Sequence, residues 1–251
     1  MNLYELETHL NKALNINKFR DYGPNGLQVE GKVEVQRIVT GVTASQDLLA
    51  AAIAVQADAI LVHHGYFWKN ESPVIRGMKK RRLASLLQHD ISLFGYHLPL
   101  DAHPQWGNNV QLAQQLGIEI EGVMDERELQ GVGNIGYLPQ PMSLQAFGQH
   151  LEAVLGRSPL LIEGGDHPIR RIAWCTGGAQ GYIQQAFELG VDAYLSGEIS
   201  EHTVHSAREN QIHYIAAGHH ATERYGIKAL GEHLAGQFGL EHIFIDINNP
   251  V

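Results

Sequence analysis

Apolar and polar positions follow one another along this chain in two rhythms, one of helix period and one of short unbroken runs. Leu3, Leu6, Leu10, Ala13 and Leu14 share one helical face, so residues 3–14 read as an amphipathic helix. Turn residues crowd positions 21–26, and 27–30 form a short candidate strand. Residues 37–42 read as a strand, with Thr43, Ala44 and Ser45 offering N-caps to a helix over about 46–56. Ala59-Ile60-Leu61-Val62 is an unbroken apolar run between Asp58 and Gly65, as expected of a strand buried on both faces of a parallel sheet. It ends on His63-His64. A loop over 65–77, a helix over about 78–88, a strand over 91–96, a helix around 109–116 and a strand near 117–121 complete the first half. This alternation predicts an α/β fold.

The second half repeats the order. Adding 141 carries Leu3, His9, Leu10 and Leu14 onto Leu144, His150, Leu151 and Leu155. Adding 134 carries Arg37, Ile38, Gln46, Ala52, Asp58, Ala59 and Leu61 onto Arg171, Ile172, Gln180, Ala186, Asp192, Ala193 and Leu195. Adding 122 carries Leu112, Ala113, Gln115 and Gly117 onto Leu234, Ala235, Gln237 and Gly239. Ordered matches with falling offsets imply a duplicated α/β unit whose first copy has the longer loops. The expected architecture is two similar domains, 1–125 and 126–251, related by pseudo-twofold symmetry with a site in the cleft between them. Their boundary falls near 122–130, and a segment from about 219 packs with the first domain.

Composition narrows the classes. With 251 residues, 44% hydrophobic and 18% charged, the chain suits a globular protein with a proper core. No apolar stretch approaches the roughly 18 residues of a membrane span, and the N-terminus lacks a basic-then-apolar leader. The single cysteine, Cys175, excludes an internal disulfide and fits a reducing cytoplasm; after Ile172-Ala173-Trp174 it reads as a buried structural thiol. A net charge of −9 argues against general nucleic-acid binding through phosphates, and the one basic run, 79–82, reads as a solvated helix face. A DNA-handling ring would need a basic lumen. The 15 histidines are the unusual count.

Several of those histidines sit where ligands bind in open α/β sheets, beyond the carboxyl ends of strands. Successive strand residues point to opposite sides, so His63 and His64 suit two neighbouring ions better than one. The offset of 122 places His97 on His219 and Asp101 on Glu223, giving both halves a His-x-x-x-acid pair after an apolar strand. On a helix such a pair lies on one face, although Pro99 makes the first turn less surely helical. His63-His64 aligns with Gly197-Glu198, so the halves are asymmetric. The inventory of His63, His64, His97, Asp101, His219 and Glu223, with Glu198 nearby, suffices for two divalent ions with a bridging carboxylate. Imidazole and carboxylate without thiolate suit Zn, Mn, Fe, Co or Mg.

The motifs Pro24-Asn25-Gly26-Leu27-Gln28-Val29-Glu30-Gly31, Thr40-Gly41-Val42-Thr43-Ala44-Ser45, Ile60-Leu61-Val62-His63-His64-Gly65, His97-Leu98-Pro99-Leu100-Asp101 and Gly218-His219-His220-Ala221-Thr222-Glu223 together resemble the Nif-three-like family, whose members often carry the name GTP cyclohydrolase type 2 homologue. The resemblance covers nearly the whole chain. It implies a dinuclear metal site held by His63, His64, Asp101, His219 and Glu223, with Glu223 the bridge and His97 close to the metals. It also implies two similar α/β domains, a ring-shaped homohexamer and a nucleotide-like small-molecule substrate.

Other features are weaker. Gly177-Gly178-Ala179-Gln180-Gly181 could offer amides to a phosphate, but a tight turn is the better reading. Tyr66, Phe67 and Trp68 could form a platform for a planar base, with loop packing favoured. Histidines 150, 205, 213 and 233 read as surface or packing residues. Two function classes follow. One is a metal-dependent hydrolase, in which His97 or Glu198 moves protons. The other is a non-catalytic metal- or nucleotide-binding scaffold acting through partners, in which Glu198 orients a ligand histidine.

Overall fold

The run ending in His63-His64 is a strand, Ala59–His64, and its neighbours explain its composition. The structure, a computed structural model, describes residues 1–125 and 131–251. The boundary expected at 122–130 lies partly outside the described residues. Among these, the strands in chain order are β1 (Gly26–Val29), β2 (Arg37–Thr43), β3 (Ala59–His64), β4 (Ser92–Gly95), β5 (Glu119–Val123), β6 (Asn134–Met142), β7 (Leu160–Ile162), β8 (Ile169–Cys175), β9 (Ala193–Ser196), β10 (His213–Ala216) and β11 (Glu241–Phe244). They form two sheets, ordered β1-β4-β3-β2-β11 and β5-β6-β8-β9-β10-β7.

The chain divides into two units that are not consecutive halves. One comprises Met1–Trp106 with Ile227–Asn248, the other Gly107–Gly226 with Asn249–Val251. The last helix and strand of each repeat are thus counted with the other repeat's sheet: Asn108–Leu116 and β5 with the second unit, residues 227–238 and β11 with the first.

In the first unit, β11, β2, β3 and β4 run parallel and β1 closes the edge antiparallel. Both faces of β3 are covered. Ala59 and Leu61 pack with Leu3, Leu6 and Leu10 of the first helix and with Ile227, Leu230 and Leu234. Ile60 and Val62 pack on the other face with Leu48, Leu49, Leu83 and Leu86. A strand buried on both sides needs four consecutive apolar residues rather than an alternation. Helix starts follow capping chemistry: Asn2 accepts from the Tyr4 amide and Ser45 from the Leu48 amide.

The second unit has the same parallel triplet, β8-β9-β10, bordered by antiparallel β6 and β7. The duplication is legible bond by bond. Ile38 pairs with Ala59 in one sheet and Ile172 with Ala193 in the other. Asp58 accepts from the Gln36 and Arg37 amides, and Asp192 from those of Arg170 and Arg171. Arg37 donates to the Val55 carbonyl and Arg171 to that of Leu189. All these pairs keep the offset of 134. At the next strand the Tyr96 amide bonds the Val62 carbonyl and the Ala217 amide that of Ser196, an offset of 121. The His97–His219 correspondence at 122 therefore requires one inserted residue, Gly218, after the second copy's strand. Among the described residues no helix is long and apolar enough to cross a membrane.

Candidate metal centre

In the first unit, three elements bring four of the expected residues together. His63, next to last in β3, is fully buried. Its Nδ1 lies 3.0 Å from the Tyr96 carbonyl. A carbonyl can only accept, so Nδ1 carries a hydrogen and Nε2 is the nitrogen turned to the carboxylate. That Nε2 faces Asp101 Oδ1 at 3.5 Å, two electron-rich atoms whose arrangement calls for a cation, proton or metal, between them. Asp101 closes the short helix Leu98–Asp101, and its amide bonds the His97 carbonyl at 3.2 Å. Pro99 does not break this turn because it sits at the helix start, where its missing N–H would have no helical partner.

His64 is half-buried, with Nδ1 3.2 Å from the Thr43 hydroxyl. Alternation along the strand leads one to expect the two imidazoles to diverge, yet their ring centroids are 4.5 Å apart. His63, His64 and His97 each offer a nitrogen, all within 4.8 Å of one another. The β4 side of the ladder ends at Val62–Gly95, whereas the β2 side runs on to Thr43–His64, so the two histidines meet at a strand end paired on one side only.

His97 is tied by a residue the sequence reading left as part of a turn. Its Nδ1 is 2.6 Å from Asp21 Oδ1, which fixes the orientation of the ring. The Asp21 carboxylate is buried and also accepts from the amides of Tyr22 (2.6 Å) and Leu98 (2.9 Å) and from the Asn25 side chain (2.9 Å). Burial alone would raise its pKa, but the His97 hydrogen bond and charge and the other donors outweigh that and hold it below the usual carboxylate value. Asn25 completes the turn by accepting from the His97 amide at 2.8 Å.

The second unit forms a cluster of its own. His219 and Glu223 lie one turn apart at the start of the helix His219–Phe238, with Nε2 and Oε2 3.1 Å apart. Glu198 reaches the other side of the ring, its Oε1 2.6 Å from Nδ1. Burial would lower the His219 pKa, but the hydrogen bonds and charges of Glu223 and Glu198 reverse this and push it up to about 9. An imidazole between two carboxylates marks a seat for positive charge.

The glycine loop after β8 explains itself at Gly177. Its carbonyl accepts from the Gly197 and Glu198 amides and its own amide donates to Thr222 Oγ1. Its φ is +70°, and a Cβ there would stand 2.0 Å from Glu223 Oε1. The loop is a tight turn around the acidic pair, and these groups are already engaged rather than open to a phosphate.

A model of the family described as Duf34/NIF3 (NGG1p interacting factor 3) matches residues 1–250. The chain belongs to the Duf34/NIF3 family. A relative from Pseudomonas aeruginosa is 59% identical over 248 residues, 99% of this chain and 98% of its own. One from Yersinia pestis is 61% identical over 249 residues, 98% of each. Both carry the name GTP cyclohydrolase 1 type 2 homolog. A solved structure described as protein ybgI, of unknown function, has a TM-score of 0.96 at 54% identity over 100% of both chains.

In this Duf34/NIF3 chain the remaining histidines split by environment. His150 meets the Leu116 carbonyl, His213 is buried between Gly164 and His167, and His205 pairs with Glu201 at the surface. His233 stacks on Trp106 at 4.0 Å. Cys175 is buried, its thiol 3.6 Å from the Val132 carbonyl. The three loop aromatics also part ways. Tyr66 is buried, with its hydroxyl on the Ala44 carbonyl, Phe67 is exposed, and Trp68 packs against His97 at 5.1 Å.

Proposed function

We propose that this chain binds two divalent metal ions through His63, His64, Asp101, His219 and Glu223 and hydrolyses a nucleotide or a related ring or phosphoester compound. The observation that carries the reading is the buried His63 Nε2 facing Asp101 Oδ1 at 3.5 Å, with the other ring nitrogen held by a backbone carbonyl. That is the way proteins prepare an imidazole for a metal. The donor set is hard and borderline, carboxylate and imidazole, which suits Zn, Mn, Fe, Co or Mg. The acidic seat around His219 supports the same assignment, and Glu223, with two carboxylate oxygens, is the residue suited to serve both ions. Bound there, the ions supply Lewis acidity and lower the pKa of a water.

The chain's own groups do the rest. His97, fixed by Asp21, presents Nε2 as a base of defined orientation. Glu198 holds His219 and, at 37% side-chain exposure, has access to solvent through which protons pass. The names of the relatives make guanosine triphosphate the first compound to try. The test is a screen of nucleotides and phosphoesters with metal-loaded protein, beside Asp101→Asn and Glu223→Gln. We expect turnover of at least one nucleotide, lost in both variants. Metal binding without turnover by the wild type would leave a binding protein in place of a hydrolase.

A further inference from the structure

Tyr22 is an aromatic side chain left 65% exposed on a turn whose backbone is held from several sides. Its amide donates to the buried Asp21 carboxylate. Its carbonyl accepts from the Lys69 amide at 2.7 Å, which joins this turn to the 65–77 loop. Next to it Gly23 leaves room for Trp68: a Cβ at Gly23 would stand 3.2 Å from the indole. Both aromatics flank His97. The Tyr22 ring centroid lies 6.0 Å from the imidazole at 65°, and that of Trp68 lies 5.1 Å away at 86°. Trp68 is also 6.2 Å from His64.

The loop carrying Trp68 is strained to put it there. Phe67 has φ +66°, left-handed backbone that a bulky residue adopts at a cost. Its own ring gains little burial in return, at 37% exposure. The conformation turns the next residue, Trp68, onto the histidine cluster. Strain of this kind persists where the surroundings over-determine it, and it gathers at ligand sites.

We infer that Tyr22 and Trp68 form an aromatic clamp that takes the planar heteroaromatic ring of a nucleotide beside His97. The inference rests on the reading of the histidine cluster as the reaction site. It adds the residues that choose the substrate class: flat, π-rich rings in preference to sugars or aliphatic phosphoesters. Stacking on an aromatic face tolerates any base, because every base has a π-face. Selection among purines is therefore not assigned to this pair.

The test is calorimetric binding of adenosine and guanosine 5′-monophosphates to the metal-loaded full chain, with ribose 5-phosphate as the ringless probe. Tyr22 is exposed, so its replacement leaves the core intact. Tyr22→Ala should weaken both nucleotides about tenfold and leave ribose 5-phosphate unchanged, and Tyr22→Phe should bind as the wild type does. Equal affinity of wild type and Tyr22→Ala for the nucleotides, or no preference of the wild type for nucleotides over ribose 5-phosphate, overturns the clamp. The two readings fail separately. Turnover with unchanged nucleotide affinity in Tyr22→Ala removes the clamp and keeps the hydrolase. Tyr22-dependent binding without turnover keeps the clamp and removes the hydrolase.

Discussion

Replacing Gly177 by alanine probes the acidic cluster through one added methyl group. The backbone there has φ +70°, and the new Cβ would stand 2.0 Å from Glu223 Oε1 and 3.0 Å from His219 Nε2. Left-handed backbone costs an alanine about 1–2 kcal/mol. The Glu223 carboxylate must also retreat by about an ångström or more, since non-bonded atoms settle near 3.5 Å. Disturbing a buried, charged hydrogen-bonding group costs a further ~1–3 kcal/mol. Gly117 supplies the internal control, because its φ is +68° and a Cβ there meets nothing within 4 Å. Urea unfolding of chelator-treated protein should show Gly117→Ala losing about 1–2 kcal/mol and Gly177→Ala about 2–5 kcal/mol. In metal-loaded protein Gly177→Ala should weaken ion binding by about tenfold or more, each factor of ten being about 1.4 kcal/mol, while Gly117→Ala should not. Equal losses in the two variants, or full ion affinity in Gly177→Ala, would refute the packing of Gly177 against the carboxylate proposed to bind metal.

Further consequences can be measured. In chelator-treated protein the His219 pKa, raised to about 9 from an ordinary 6.5, contributes stability that is fully present below pH 6.5 and lost as pH rises through about 9. Thermal melts across that range should fall, less steeply in Glu198→Gln, and a flat profile would contradict the carboxylate cage. His9 and His242 have pKa values lowered chiefly by burial, so their protonation below about pH 6.5 should cost stability as pH falls, checked by the same melts below that value. Asp21→Asn removes the charge that holds His97 and should cost about 1–3 kcal/mol in urea unfolding; no loss would mean the four donors around Asp21 are not holding an ionised carboxylate. Leu61→Ala, in the fully buried centre of β3, should cost about 2–5 kcal/mol by the same measurement.

The elements whose burial dictates their composition were legible in the sequence. The apolar run before His63 reads as a two-face-buried strand because burial on both sides leaves no polar position. The helices and their serine and asparagine caps follow from period and capping chemistry. The repeat offsets reappear as matched hydrogen bonds at Asp58 and Asp192. What stayed hidden was long-range. Asp21 sits among Gly, Pro and Asn, where an aspartate is expected simply to make a turn, so nothing local marks it as the partner of His97. The pairing of β11 with β2 joins residues some two hundred positions apart, and no periodicity records it. The single-residue insertion at Gly218 is invisible to an alignment by offset alone. Trp68 required the left-handed Phe67, a backbone choice that the residue type argues against.

The count of bound ions tests the central claim most directly. Purified protein, stripped by chelator and reloaded with a single divalent metal to saturation, is analysed for metal per chain beside His63→Ala and Glu223→Ala. The account predicts two ions per wild-type chain and fewer in each variant. A wild type that holds fewer than two at saturation, or variants that still hold two, would contradict it.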